Sequence, residues 1–219
     1  MTIEPGTLAP DAIYDGLRSG ILDQRYPPGS TFTESAVALN FGVARPTAKL
    51  AIERLVAEGL LRRESHRAAR VPELTRDDIV DLFDNRAVVE CAAIGALATS
   101  GSIPAEAIAA HRAILAGVAQ NAPFAQNDIA FHRALVAGQP SPRLARMHAL
   151  LMGEIELCIG QVQSLHLVDV TDIAAQHQAI LDAALAGDAE LAIDRTRVHI
   201  HSSRDKLLAR YDLEHQKEA

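Results

Sequence analysis

An aspartate and a histidine four residues apart, Asp128 and His132, stand where chemistry is least expected. At about 100° per residue they lie about 40° apart on a helical projection, among Ile129, Phe131, Leu135 and Val136. A bare carboxylate on such a face is very costly to desolvate unless it is paired or bound to a cation. The same projection puts His177 in the centre of a stripe with Ile173, Ile180, Leu181 and Ala184. On the last helical segment His199 shares a side with Ala192, Thr196 and Ser203, whereas His201 falls with Glu190, Asp194 and Arg197 and is expected in solvent. One inward histidine is usually a hydrogen-bonded core residue. One carboxylate and three imidazoles from three helices suit a divalent metal such as zinc, nickel or manganese, with coordination positions left for water or ligand. Arg86 and Glu90, also four apart, share a face with Ile79, Phe83, Ile94 and Leu97. Arg86 could clamp a carboxylate with its planar guanidinium or simply pair with Glu90.

A second set of residues suits nucleic acid. The chain of 219 residues carries a net charge of −7, but residues 1–75 hold nine basic and nine acidic side chains, so the acidity lies wholly beyond them. Residues 42–71 carry seven basic side chains against three acidic ones. Arg45 and Lys49 lie on one face at the start of a helix, where they could reach base edges or phosphates in a major groove, with Thr47 beside them. His66, Arg67 and Arg70 fall on a polar turn that could follow the DNA backbone or minor groove.

The elements that must position these residues can be read from pattern. Hydrophobic residues make up 48% and Trp is absent, which suits a mainly α protein. Residues 1–10 are expected to form a loose tail. Asp11 caps a helix through Ile21, and Thr33 precedes a short helix broken at Gly42. A third helix follows from Pro46 to Glu58 with Leu50, Ile52, Leu55 and Val56 on its core side. Residues 60–63 and 69–71 read as a two-stranded hairpin. Helix, helix, turn, helix, hairpin is the order of a winged helix-turn-helix over 11–72. Beyond a linker at 72–75, six helices are expected near 76–99, 104–119, 125–137, 141–164, 171–186 and 188–210, forming a helical domain over 76–210 with a tail at 211–219. Cys91 and Cys158 fall within apolar helical patterns and read as buried packing residues. No apolar run approaches the roughly 20 residues of a membrane span, so a cytoplasmic protein that avoids membranes is expected.

The run from Ile13 to Val71, with PPGSTFTESAVALNFGVARPTAKLAIERLVAEGLL at its centre, resembles the winged helix of GntR-type regulators. It departs from that pattern at Ala44, at the order Pro46-Thr47, at Lys49 and at Ala68, and Ala44 cannot cap the recognition helix. NRAVVE at 85–90, DIAFH at 128–132, QHQAILDAALAGD at 176–188 and RVHIH at 197–201 resemble the FadR-type (FCD) ligand-binding domain of the same regulators. The resemblance implies a helical bundle in which Asp128, His132, His177 and His199 hold a metal and Arg86 reaches a small organic acid. It further implies a homodimeric repressor or activator on a near-palindromic operator. Two other readings of the residues are a structural or metal-sensing site without an organic effector, and a metalloenzyme with Glu90 as base.

Overall fold

A computed structural model describes residues 10–65 and 67–216 of the chain, so residues 1–9 of the tail expected at 1–10, residues 217–219 of that expected at 211–219, and His66 lie outside the described residues, while Pro10 is helical. The chain divides into two compact units at residues 73 and 74.

In the first unit, α1 (Pro10–Leu22), β1 (Thr31–Phe32), α2 (Glu34–Phe41), α3 (Arg45–Ala57) and β2 (Ala69–Arg70) follow in order. Ile13, Tyr14, Leu17 and Ile21 recur at helical spacing on α1 and are buried, as are Ala48, Ala51, Ile52 and Leu55 on α3. These are the stripes that pack α1 and α2 against α3. Gly42 closes α2 at φ 64°, a left-handed conformation that costs glycine nothing and lets the chain turn sharply into α3. Leu50, expected in the core, is 56% exposed, because it projects about 200° away from Ile52.

The wing also differs from the expected hairpin. β2 pairs antiparallel with β1 (Thr31↔Arg70, Phe32↔Ala69), and residues 60–63 contribute only an isolated bridge between Arg62 and Arg70. Leu60 and Leu61 are consecutive and both buried. They follow the end of α3 and close its last turn, the Leu61 N–H donating to the Leu55 carbonyl at 3.2 Å.

The second unit consists of α4 (Arg76–Ser100), α5 (Ala105–Gly117), a 3₁₀ turn at Val118–Gln120, α6 (Ala125–Ala137), α7 (Pro142–Ser164), α8 (Val170–Leu185) and α9 (Ala189–His215). α4 and α9 run antiparallel, joined by Arg76 to Asp212 at 3.1 Å near one end and by the Cys91 thiol to the Ile193 carbonyl at 3.5 Å nearer the other. Both cysteines are buried. The helices begin and end within two residues of the expected spans, with one exception. The last continues past 210 to His215, where Tyr211 packs against the core and stacks on His215, and Arg210 pairs with Glu214 at 2.6 Å. Residues 211–215 are therefore helix rather than tail. No single helix among the described residues is long and apolar enough to cross a membrane.

The core of this unit is layered. One apolar cluster gathers Ile79, Phe83, Ile129, Ile173 and Ile200, and another gathers Ile94, Leu97, Phe131, Leu135, Ile180 and Ala192. Each of α4, α6, α8 and α9 contributes to both and carries polar residues between them. Most of these helices cap themselves, α4 through a Thr75/Asp78 capping box and α7, α8 and α9 through Ser141, Asp169 and Asp188. α6 starts at Phe124 with no side-chain cap of its own. Gln163 of α7 supplies one, its Oε1 accepting the backbone N–H groups of Phe124 and Ala125 at 2.7 Å each. Replacing Gln163 by Ala should cost about 1 kcal/mol, as loss of a cap generally does. Thermal unfolding should register this as a melting point lower by about 2–4 °C for a chain of this size.

Candidate metal centre and nucleic-acid interface

Within the second unit, α6 presents Asp128 and His132, α8 His177 and α9 His199, each no more than 2% exposed. The structure brings all four together, with one ligand atom from each lying within 4.8 Å of every other. His132 Nε2 is 3.0 Å and His177 Nε2 3.4 Å from His199 Nε2, while Asp128 Oδ1 lies 3.2 Å from His177 Nε2 and 3.9 Å from each of the other two. Three imidazole nitrogens this close cannot all carry protons, and lone pairs so placed repel one another unless a cation or proton sits between them. Asp128 Oδ2, also buried, has no hydrogen-bond partner. Three nitrogens and a carboxylate in this arrangement fit a divalent metal.

The far sides of the rings set which nitrogen is available. His199 Nδ1 lies 2.8 Å from Gln176 Oε1 and His132 Nδ1 lies 2.6 Å from Glu90 Oε2. The Gln176 acceptor holds the His199 proton on Nδ1 and leaves its Nε2 as a lone pair, whereas His132 Nδ1 and Glu90 Oε2 are in close contact without an aligned hydrogen bond. Phe131 stacks on His177, centroids 4.0 Å apart and planes 14° from parallel, which fixes that ring's orientation.

Arg86 and Glu90 adjoin this cluster. Arg86 is 1% exposed and donates through Nε to Glu90 Oε1 at 2.8 Å, so the ion pair read from their spacing is formed. Both terminal guanidinium nitrogens are buried without a hydrogen-bond partner. His148 of α7, absent from the sequence reading, places Nε2 2.9 Å from Glu90 Oε1. Its position was detectable, since His148, Met152, Ile155, Ile159 and Val162 form one buried stripe at helical spacing. Glu156, on the same side of α7 and 1% exposed, pairs with Arg133 at 2.5 Å, and Gln176 was also missed. His201, expected in solvent, is partly buried on the outer side of α9, with Nε2 3.5 Å from Asp84 Oδ1.

Burial dominates the electrostatics. It pushes the His177 imidazole down to about 4 against the pull of Asp128, and holds His199 well below the ordinary histidine range, with the neighbouring His177 and His132 adding to the effect. Burial alone would raise both carboxyls. The Arg86 charge and His132 outweigh it at Glu90, and the hydrogen bond from His177 together with the surrounding imidazoles outweighs it at Asp128, so both lie well below their usual values.

In the first unit, Arg45 opens α3 with its side chain 69% exposed, Lys49 is exposed one turn later, and Thr47 is partly exposed between them. Ala44 makes no side-chain cap and Pro46 occupies the first turn. Arg67 and Arg70 are exposed on the wing, 3.2 Å and 3.9 Å from Glu64. Sequence reasoning missed Glu34, which lies between Arg45 at 4.0 Å and Arg63 at 3.9 Å. Arg45, Arg63 and Arg67 line one groove of about 320 Å³ together with Thr33, Glu34 and Ala68, so the recognition helix and the wing present basic residues to a common surface.

A winged helix with an exposed basic recognition helix, followed by a helical bundle with a polar interior, defines a DNA-binding regulator. Comparison with known proteins supplies the family. Residues 81–202 match the FCD domain and residues 10–71 match bacterial regulatory proteins of the gntR family. The chain is 27% identical over 203 residues to the HTH-type transcriptional regulator BphR of Paraburkholderia xenovorans (strain LB400), itself uncharacterized, covering 88% of this chain and 82% of that one. It is 24% identical over 198 residues to the HTH-type transcriptional repressor GlaR of Escherichia coli (strain K12), covering 85% and 90% respectively. The fold is shared with a GntR regulator from Rhodococcus sp. RHA1 at a TM-score of 0.77 and 23% identity, over 91% of this chain and 97% of the other. The chain belongs to the GntR family of bacterial regulatory proteins, with an FCD domain at its carboxyl side. It is a transcriptional regulator and not an enzyme, which removes the metalloenzyme reading.

The depressed imidazoles give a stability profile with a definite sign. A histidine whose folded value lies below its unfolded one binds fewer protons in the native state, so its contribution is full above about pH 6.5 and is lost as pH falls toward the folded value. With His177 at about 4 and His199 also depressed, the chelated protein should lose stability steadily between about pH 6.5 and 4, with further loss below as Asp128 and Glu90 are protonated. Urea midpoints measured across that range should fall with pH, and a flat profile would contradict the burial argument.

Proposed function

We propose that this protein is a homodimeric regulator of a metabolic operon whose affinity for a near-palindromic operator responds to a small organic acid bound beside a divalent metal. The observation that carries this reading is the convergence of Asp128, His132, His177 and His199 next to a buried Arg86 with unpaired terminal nitrogens. The four side chains would hold zinc, nickel or manganese, and the bound metal would supply a fixed positive charge to which a carboxylate oxygen can coordinate. Arg86 would take the same carboxylate through its two terminal nitrogens, the planar fork matching both oxygens. Charge supports the pairing. Asp128 and Glu90 carry two negative charges against the single positive charge of Arg86, so a dication brings the site to +1 and one carboxylate completes neutrality.

For the head, Arg45 and Lys49 would enter the major groove, with Thr47 on the adjoining backbone and Arg67 and Arg70 along the flanking phosphates. Against a duplex selected from a random pool by the wild-type protein, Arg45→Ala should weaken binding by about 1–3 kcal/mol and relax preference at its base position. Arg67→Ala should instead weaken all sequences alike and reduce the salt slope by about one.

The control mechanism is tested by thermal shift on chelated protein to which zinc, nickel or manganese is restored, with and without a panel of small mono- and dicarboxylic acids. Metal should stabilise the wild type, and an acid at a hundredfold excess over its dissociation constant should add about 2.7 kcal/mol on the metal-loaded protein alone. Both responses should vanish in the His132→Ala, His199→Ala double variant. Stabilisation by metal with no acid response would move the reading to a structural or metal-sensing site.

A further inference from the structure

Glu90 touches both halves of the site. Its Oε1 accepts from Arg86 Nε at 2.8 Å and from His148 Nε2 at 2.9 Å, and its Oε2 lies 2.6 Å from His132 Nδ1. The opposite nitrogen of that same His132 ring faces Asp128, His177 and His199. A buried arginine and carboxylate usually form a two-pronged pair, which uses both oxygens on one guanidinium edge. Here Arg86 engages one oxygen through Nε alone, the second oxygen is turned to His132, and the two terminal nitrogens of a guanidinium 1% exposed remain unpartnered. One negative charge is thus divided between the residue that would ligate the metal and the residue that would grip the acid.

We propose that Glu90 couples the two: with His132 engaged through Nε2, Glu90 is drawn to the His132 Nδ1–H and away from Arg86, which leaves that guanidinium available to a carboxylate. This inference rests on the metal-and-acid reading above and adds the reason acid recognition depends on the metal. An imidazole bound to a cation through one nitrogen is a stronger donor through the other, and in a buried site the gain is little screened. Without the cation, Glu90 neutralises Arg86, and the ionised groups sum to −1, so an incoming carboxylate meets repulsion. Glu90 touches neither ligand and acts as a positioning residue. A neutral glutamine in its place leaves Arg86 uncompensated whether or not metal is bound.

The test uses zinc and acetate, the smallest carboxylate that carries the recognised group, on the full-length wild type and on Glu90→Gln. Calorimetry on zinc-loaded wild type should show acetate bound about tenfold or more tightly than on chelated wild type. Chelated Glu90→Gln should bind acetate more tightly than chelated wild type, and its ratio between loaded and chelated forms should fall to about threefold or less. A gain of binding cannot come from damage to the fold. A variant that keeps the wild-type ratio, or loses acetate equally in both forms, overturns the proposal. A second readout needs no variant: in wild-type protein with labelled arginine, zinc alone should shift the Arg86 Nε–H resonance before any acid is added, and a resonance indifferent to zinc also overturns it. Wild type that binds zinc and acetate independently refutes the coupling alone, whereas wild type that binds none of zinc, nickel and manganese refutes the metal reading and the coupling with it.

Discussion

The interior of the helical unit is governed by the cost of taking charge out of water. Arg86, Glu90 and Asp128 are buried along with His111, His132, His148, His177 and His199. Ions in such a place must be paired and hydrogen-bonded to be tolerated. The bundle meets that requirement by giving the polar groups a layer of their own. On α4 the apolar run from Ile79 to Ala87 belongs to one cluster and that from Ile94 to Ala98 to the other, with Glu90 between. α8 repeats the arrangement with Ile173, His177 and Ile180, and α9 with Ala192, His199 and Leu207. The helices are therefore held in register twice, once by apolar packing and once by polar contacts that tolerate little sliding. Buried polar groups generally add specificity of arrangement more than net stability.

Such a layer is also a place where small changes of charge have large consequences. Glu90 takes two hydrogen bonds on one oxygen and meets His132 closely with the other, so a change at one contact bears on the rest. Asp128 and the three inward imidazoles are in the same condition, with more lone pairs facing one another than protons to separate them. These groups come from four helices. An ion or ligand that relieved them would favour the helix arrangement that suits it best.

How much of this could be read in the sequence follows from which contacts are periodic. His132, His177 and His199 were found because facing inward is a property of one helix and shows in its own spacing. Arg86 and Glu90 were linked because four residues bring two side chains together on a helix. His148 obeys the same rule and was within reach. Contacts between helices distant in sequence were not, and so the meeting of Glu90 with His132 and the capping of α6 by Gln163 could not be read locally. The wing shows the converse difficulty. Residues 60–63 have the composition of a strand, yet the cap of α3 claims Leu60 and Leu61 and β1 takes the place beside β2. Side-chain type likewise favoured Leu50 for the core, where the smaller Ala48 and Ala51 are buried instead.

The DNA-reading head handles charge in the opposite way. Arg45, Lys49 and Arg67 each have an acidic neighbour, Glu34, Glu53 and Glu64 respectively, and all of these basic side chains are more than half exposed. Ion pairs in water contribute little and weaken with salt, so a competing anion would displace them at small cost. The acids nonetheless matter, because Glu34 between Arg45 and Arg63 keeps two basic side chains directed toward one groove. Order gained before binding lowers the entropy lost on binding. The two units thus use the same residue types under different dielectric conditions: the head keeps its pairs exposed so that they exchange readily, and the bundle keeps its own buried, where changing one charge rearranges the rest.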